Sequence, residues 1–211
     1  MVHERLLEIA IREFAAKGLE GVSTRDIAAA AGTAMSSITY HYGGKEGLYL
    51  AAADYLAREM NDEAVDLDTA YLAAQDPVGA RAAIKAILAR MVDKLASPQN
   101  AAWSLFIVRE QMNPTAAFDR LYDGAMGRMF EALVDLVCVA TAARDRRASQ
   151  VAVLTLFGQA VVLRAARATC ARLLGAEADE AAVVADFHRR IATNIDAVLD
   201  SMTIEQQGTV A

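Results

Sequence analysis

The chain has 211 residues, 55% of them hydrophobic, only three prolines and a formal net charge of −6. That length suits one fair-sized domain or two small ones sharing helices, and the Ala- and Leu-rich composition favours helix. No run approaches ~18 uninterrupted apolar residues, so no membrane span is expected. The opening MVHERLLEIA carries acids in place of a cleavable apolar core, which excludes a signal peptide. Cys138 and Cys170 are too few and too far apart for a disulfide framework or a zinc site, so a reducing cytoplasm is the expected compartment.

Along the chain, Leu6, Leu7, Ile9, Ala10, Phe14 and Leu19 give a first amphipathic helix that stops at Gly18. Ser23 or Thr24 is positioned to cap a second helix, with Asp26 in its first turn where the helix dipole favours an acid. Gly32 makes a turn into a third short helix, and Lys45 to about Met60 reads as a fourth. Asn61 to Asp68 is acidic and weakly patterned, and is expected to be a loop. Pro77 opens a helix to about Ala96, with Ile84, Ile87, Leu88, Met91 and Leu95 on its buried face. Ser97-Pro98 breaks it. Ala101 to Met112 forms the next, stopped by Asn113-Pro114. Phe118 to about Ala142 is a longer helix. Ala148 to Leu174 follows, ended by Gly175, and Glu180 to Met202 is the last, with the tail EQQGTVA expected to fray. No segment shows strand alternation, an internal repeat or low complexity. The class is all-α.

The stretch TRDIAAAAGTAMSSITYHYGGKEGL, from Thr24 to Leu48, reads as two short helices joined at a glycine. Ile27, Ala28 and Ala31 share one face of the first, and Ile38 packs from the second. The second displays Met35, Ser36, Ser37, Thr39, Tyr40 and His41, small or hydrogen-bonding groups with no acid among them. A carboxylate-free helix of that kind suits the DNA major groove, where base edges are read by hydrogen bonds and apolar contacts. Thr24 and Arg25 complete the candidate set at the start of the first helix, and Lys45 can meet a backbone phosphate at the mouth of the next. Residues 1–48 hold five Lys/Arg and six Asp/Glu, a net of −1, so few phosphate contacts and a modest salt dependence are expected. No acid lies between Ile27 and Gly44. Charge therefore permits DNA binding without demanding it.

This stretch resembles the DNA-binding head of the TetR family of bacterial transcription regulators. The elements that carry the resemblance are Phe14 with Gly18, Thr24 with Ile27 and Ala28, Ala31-Gly32, Tyr40-His41-Tyr42, and Lys45-Glu46 with Leu48. Departures are Thr39 where the family often has Tyr, Thr33-Ala34 for Val-Ser, and Gly43-Gly44 for the Pro or Ser after the aromatic. They bear on base contacts, not on the fold. The resemblance implies a three-helix helix-turn-helix domain over residues 1–48. It implies a helical ligand-binding and dimerisation body over residues 49–211, with about nine helices in all. It also implies that Tyr42 packs on the first helix, and that a homodimer forms through the last two long helices as a four-helix bundle. Palindromic double-stranded DNA needs two heads about one helical turn apart. Small residues at Ala152, Gly158, Ala160, Ala165 and Ala168 permit close helix approach there. The segments FIVREQMNP, AFDRLY and GQAVVLRAAR, within residues 103–175, are similar to a subgroup with a characteristic C-terminal ligand-sensing domain.

For a small-molecule effector the candidates are Met91, Trp103, Phe106, Glu110, Met126, Phe157 and Arg164, a set whose composition suggests a largely apolar compound. Trp103, Phe106, Ile107 and Glu110 fall at helical spacing, so an acid continues an apolar stripe. Phe157, Ala160, Val161, Arg164 and Arg167 do the same with cations. A charge on a buried stripe is costly unless paired. Either Glu110 and Arg164 pair across the core, or one of them lines a cavity and meets the effector. No HExxH, P-loop, GxGxxG or Glu-x-x-His pattern occurs, and Cys138, Cys170 and His188 form no recognisable triad, so no catalytic residue, metal or cofactor is expected. The leading expectation is a ligand-responsive repressor released from a palindromic operator. An activator or co-regulator whose body binds a protein partner is the alternative, and an enzyme on a helical-bundle scaffold a distant third.

Overall fold

The computed structural model describes residues 2–62, 74, 76–175 and 180–208. Among them the secondary structure is helical throughout: α1 (Val2–Lys17), α2 (Thr24–Ala31), α3 (Met35–Tyr42), α4 (Lys45–Asp62), α5 (Pro77–Ala96), α6 (Ala101–Met112), α7 (Ala116–Leu121), a π turn (Tyr122–Met126), α8 (Gly127–Thr141), α9 (Arg146–Ala165), α10 (Arg167–Leu174) and α11 (Glu180–Gly208). The run from α7 through the π turn to α8 is continuous, closed by the Gly127 N–H donating to the Tyr122 carbonyl, and α9 and α10 are separated only by Ala166. Counted as rods, the described residues form nine, in line with the about nine expected.

Local chemistry sets the boundaries. The Ser23 hydroxyl accepts from the Arg25 N–H and caps α2. Asp76 accepts from Val78 and Gly79, with Pro77 at the first helical position of α5. Asp145 accepts from Arg147 and Ala148, so α9 begins two residues before the expected Ala148. Asn61 and Asp62 are still helical, while the rest of the expected loop to Asp68 lies outside the described residues. The tail expected to fray from Glu205 instead continues α11 to Gly208.

The helices cluster into two compact units. The first combines α1–α4 with α6, α7 and the π turn. Its core is Leu6, Ala10, Ile11, Phe14, Ile27, Ile38, Leu48, Ala52, Leu56, Phe106 and Leu121. Each such Leu or Ile adds about 1.5–3 kcal/mol relative to exposure. Phe14, Tyr49 and Phe106 stack in series, with centroids 4.8 Å apart at each step. Arg109 of α6 donates from Nε to the Ala15 carbonyl (2.6 Å) and from Nη2 to that of Ala16 (3.0 Å), closing the C-terminal end of α1. The helix-turn-helix residues thus share a core with α6 and α7, so this packing division does not follow the expected boundary at residue 48.

The second unit is α5 and α8–α11. Ile84, Ile87, Leu88 and Val92 of α5 meet Leu133, Val137, Leu156, Ala160, Leu163, Ile191, Ile195 and Leu199. Arg81 and Lys85 lace α5 to Asp196 and Asp200 of α11. By length and composition alone α9 could span a membrane, with a mean hydropathy of 1.4 over 18 residues, although it is no uninterrupted apolar run. Its inner face, Val153, Leu156, Ala160 and Leu163, is packed in the core of this unit.

Candidate nucleic-acid interface

Two left-handed glycines frame α3. Gly32 ends α2 at φ 67° and returns its N–H to Ala29, and Gly43 ends α3 at φ 75° with its N–H on the Thr39 carbonyl. Ile27 and Ala28 of α2 and Ile38 of α3 are buried, which fixes the faces of both helices. The opposite face of α3 is then delivered to solvent. Tyr40 is 85% exposed and Met35 47% exposed; Ser36, Thr39 and His41 are also exposed, and Ser37 is half-buried. Thr24 is half-buried and Arg25 exposed at the start of α2. The expected set therefore lies on or beside one carboxylate-free face. Lys45 is half-buried, with Nζ 3.6 Å from a carboxylate oxygen of Glu20, which is itself almost fully exposed.

Tyr42 packs towards α1, as the resemblance implied, and does so through a residue that sequence reasoning missed. Its hydroxyl lies 3.2 Å from Nδ1 of His3, and burial pushes the phenol above its usual range. The His3 ring also meets that of His41 edge to face at 4.8 Å. Nothing in sequence spacing links positions 3 and 42.

The seven effector candidates fall in both units. Trp103, Phe106, Glu110 and Met126 belong to the first, Met91, Phe157 and Arg164 to the second. Trp103 meets Tyr55 edge to face at 5.9 Å, Phe106 meets Tyr49, and Met126 is buried with its sulfur 3.9 Å from Gln111 Nε2. Phe157 meets Phe130 at 5.0 Å, and Met91 packs beside the second core. The pairing weighed for Glu110 and Arg164 is replaced by partners nearer to each. Glu110, 2% exposed, accepts from the Tyr49 hydroxyl at 2.6 Å, from Thr115 N–H at 3.0 Å and from Thr115 Oγ1 at 2.9 Å. Arg164 donates from Nη2 to the Leu95 and Ser97 carbonyls at 2.6 and 3.0 Å, at the C-terminal end of α5. Its Nε is buried without a partner, and desolvation lowers its pKa. A groove of about 600 Å³ between α9 and α11 is lined by Val151, Ala152, Ala197, Val198 and Met202, with none of the seven.

A helix-turn-helix that offers an acid-free helix outward, carried on an all-α chain, defines a DNA-binding transcription regulator. Residues 6–52 match the model of bacterial regulatory proteins of the tetR family. Residues 80–202 match the C-terminal domain of the HTH-type transcriptional dual regulator CecR. CecR of Shigella flexneri is 27% identical over 95% of this chain and 92% of its own length. A TetR-family transcriptional regulator from Streptomyces coelicolor superposes with a TM-score of 0.65 at 19% identity, over 96% of each chain. FadR of Bacillus subtilis, solved with stearoyl-CoA, gives 0.62 at 12% identity, over 90% of this chain and 97% of its own. The chain belongs to the TetR family of transcriptional regulators, in the branch that carries the CecR C-terminal domain.

Proposed function

We propose that the chain is a ligand-responsive repressor that binds a palindromic operator as a homodimer in the cytoplasm and is released by a small molecule. The observation that carries the reading is the exposed face of α3, where Met35, Ser36, Thr39, Tyr40 and His41 stand without a carboxylate. Thr24, Arg25, Ser37 and Lys45 flank it and would hold the phosphates. Support for the dimer comes from α9, whose Val151 and Leu154 are exposed and whose Gly158 faces open space. Ala165 and Ala168 are exposed as well, whereas Ala152 and Ala160 are buried inside their own unit and take no part.

The effector in this reading is largely apolar. Of the seven candidates, Met91, Trp103, Phe106, Met126 and Phe157 are apolar or aromatic, and the two charged ones already have partners within the chain. FadR of Bacillus subtilis, on the same fold, holds stearoyl-CoA. Release needs only that the effector favour the weakly binding state by a few kcal/mol. Because α4 begins directly after α3 and carries Tyr49, whose hydroxyl donates to Glu110 of α6, it is the element through which such a shift would reach the operator. A second reading, activation at some promoters, is favoured by the description of CecR as a dual regulator.

The test is selection of bound DNA from a random pool by the purified protein, read by sequencing. A palindrome with two half-sites supports a dimeric operator-binding regulator, and supplies the probe for finding compounds that release it. A folded protein that enriches nothing overturns the reading.

A further inference from the structure

Four rings form an unbroken edge-to-face array on the surface that carries α3. His3 meets His41 at 4.8 Å and 89°, His41 meets Tyr40 at 5.0 Å and 85°, and His3 and His41 each stand 6.4 Å from Tyr42. Two of the chain's three histidines are thus together here, drawn from helices 38 positions apart. The array sits where α3 most needs a restraint. This helix has eight residues, an N-cap alanine with no side-chain bond, and Ile38 as its one buried residue. Its C-terminal end runs into Gly43 and Gly44, both at positive φ, where backbone freedom is greatest. The tie from α3 back to α1 at that end is His3 Nδ1 to the Tyr42 hydroxyl, 3.2 Å.

We propose that His3 is a positioning residue for operator recognition. It holds the C-terminal end of α3 through Tyr42 and His41, so that the exposed face of that helix meets the groove already oriented. This rests on the reading of α3 as the helix that enters the groove. The Tyr42 hydroxyl and Nδ1 of His3 share one hydrogen bond across the two helices. The rings that meet His3 are those of His41 and Tyr42 on α3. With a head of net charge −1, few phosphate contacts stand in reserve to offset a misplaced α3.

The experiment titrates a palindrome selected from the random pool with the full chain and with His3→Gln, Tyr42→Phe, the double variant and Tyr40→Ala. Anisotropy is read at several salt concentrations. The expected result is a loss of roughly tenfold in His3→Gln. The log–log salt slope should stay that of the parent, because the loss comes from the placement of α3 and not from a phosphate contact. Tyr42→Phe should add little on top of His3→Gln, with dimer and melting temperature unchanged. His3→Gln binding that matches the parent at every salt concentration, while Tyr40→Ala is weakened, overturns the role of His3 alone. A parent chain that binds no sequence, or a Tyr40→Ala variant that binds as the parent does, overturns the reading of α3 and this proposal with it.

Discussion

Tyr40 and Ile38 stand two positions apart on α3 and have opposite fates. Ile38 is fully buried, and Tyr40 is 85% exposed with only the His41 ring against it. Truncating Tyr40 therefore removes nothing from the core, whereas a base or phosphate contact would be lost outright. Tyr40→Ala is expected to weaken operator binding by about tenfold, the equivalent of ~1.4 kcal/mol, with the melting temperature of the parent. A variant that melts early would mean that the residue supports the fold instead. Glu110 is the reverse case: buried, with three donors on its carboxyl oxygens. Glu110→Ala leaves the buried Tyr49 hydroxyl without its acceptor and frees the Thr115 N–H at the edge of the core, and a loss of ~2–4 kcal/mol in chemical denaturation is expected. Tyr49 carries a pH signature of the same network. Burial, followed by the Glu110 carboxyl, holds its phenol above the ordinary tyrosine range. A pKa raised on folding contributes stability that is complete below the unfolded value, near pH ~10, and is lost as pH rises beyond it. Melting curves at increasing alkalinity should fall with a slope of up to ~1.4 kcal/mol per pH unit from this group, and Tyr49→Phe should fall less steeply.

At the scale of elements, the junction between α3 and α4 is held by proximity more than by side chains. A β-carbon at Gly47 would lie 1.7 Å from the Tyr42 carbonyl oxygen, so the first turn of α4 can sit there only without one. Gly47→Ala forces backbone to move at the end of α3, and a destabilisation of ~2–4 kcal/mol with loss of operator binding is expected from thermal melts and DNA titration together. Punctuation of this kind was largely legible in the sequence. Gly32, Pro77, Ser97-Pro98 and Asn113-Pro114 end or begin helices where they were expected to, because capping and proline effects are local. What was not legible is long-range pairing. The stripe containing Glu110 announced a buried acid, but its partner Tyr49 lies 61 positions away and was hidden among the apolar residues of α4. Arg164 was equally well signalled as buried, and its Nη2 donates to two backbone carbonyls, which no side-chain pattern encodes. The π turn at Tyr122–Met126 belongs with these, since one extra residue in a turn leaves the helical periodicity of a long rod nearly unchanged.

For the whole molecule, the question is how an acidic chain with a weakly charged head could hold DNA at all. A single head offers few cations, so the phosphate contribution per head is small. Two heads on one palindrome change the arithmetic, because the second binding event becomes intramolecular and avidity can exceed single-site affinity by 10²–10⁴ in order of magnitude. Dimerisation is then a condition of function in the proposed reading. The surface that fits it is the outer side of α9, where Val151 is 52% and Leu154 60% exposed although an inner stripe of the same helix is packed to its own core. An apolar helix with both faces apolar is stable in water when the second face is covered. Leu154→Arg places a charge on that face without touching the inner stripe, so each unit should still fold. The expected outcome is a monomer by sedimentation at concentrations where the parent is a dimer, with helical content retained and affinity for the full palindrome reduced by about 100-fold or more. Binding to an isolated half-site should be unchanged, since α3 is untouched. A Leu154→Arg variant that remains dimeric would move the interface off this face of α9. A parent chain that sediments as a monomer and still holds the palindrome tightly would remove the need for avidity altogether.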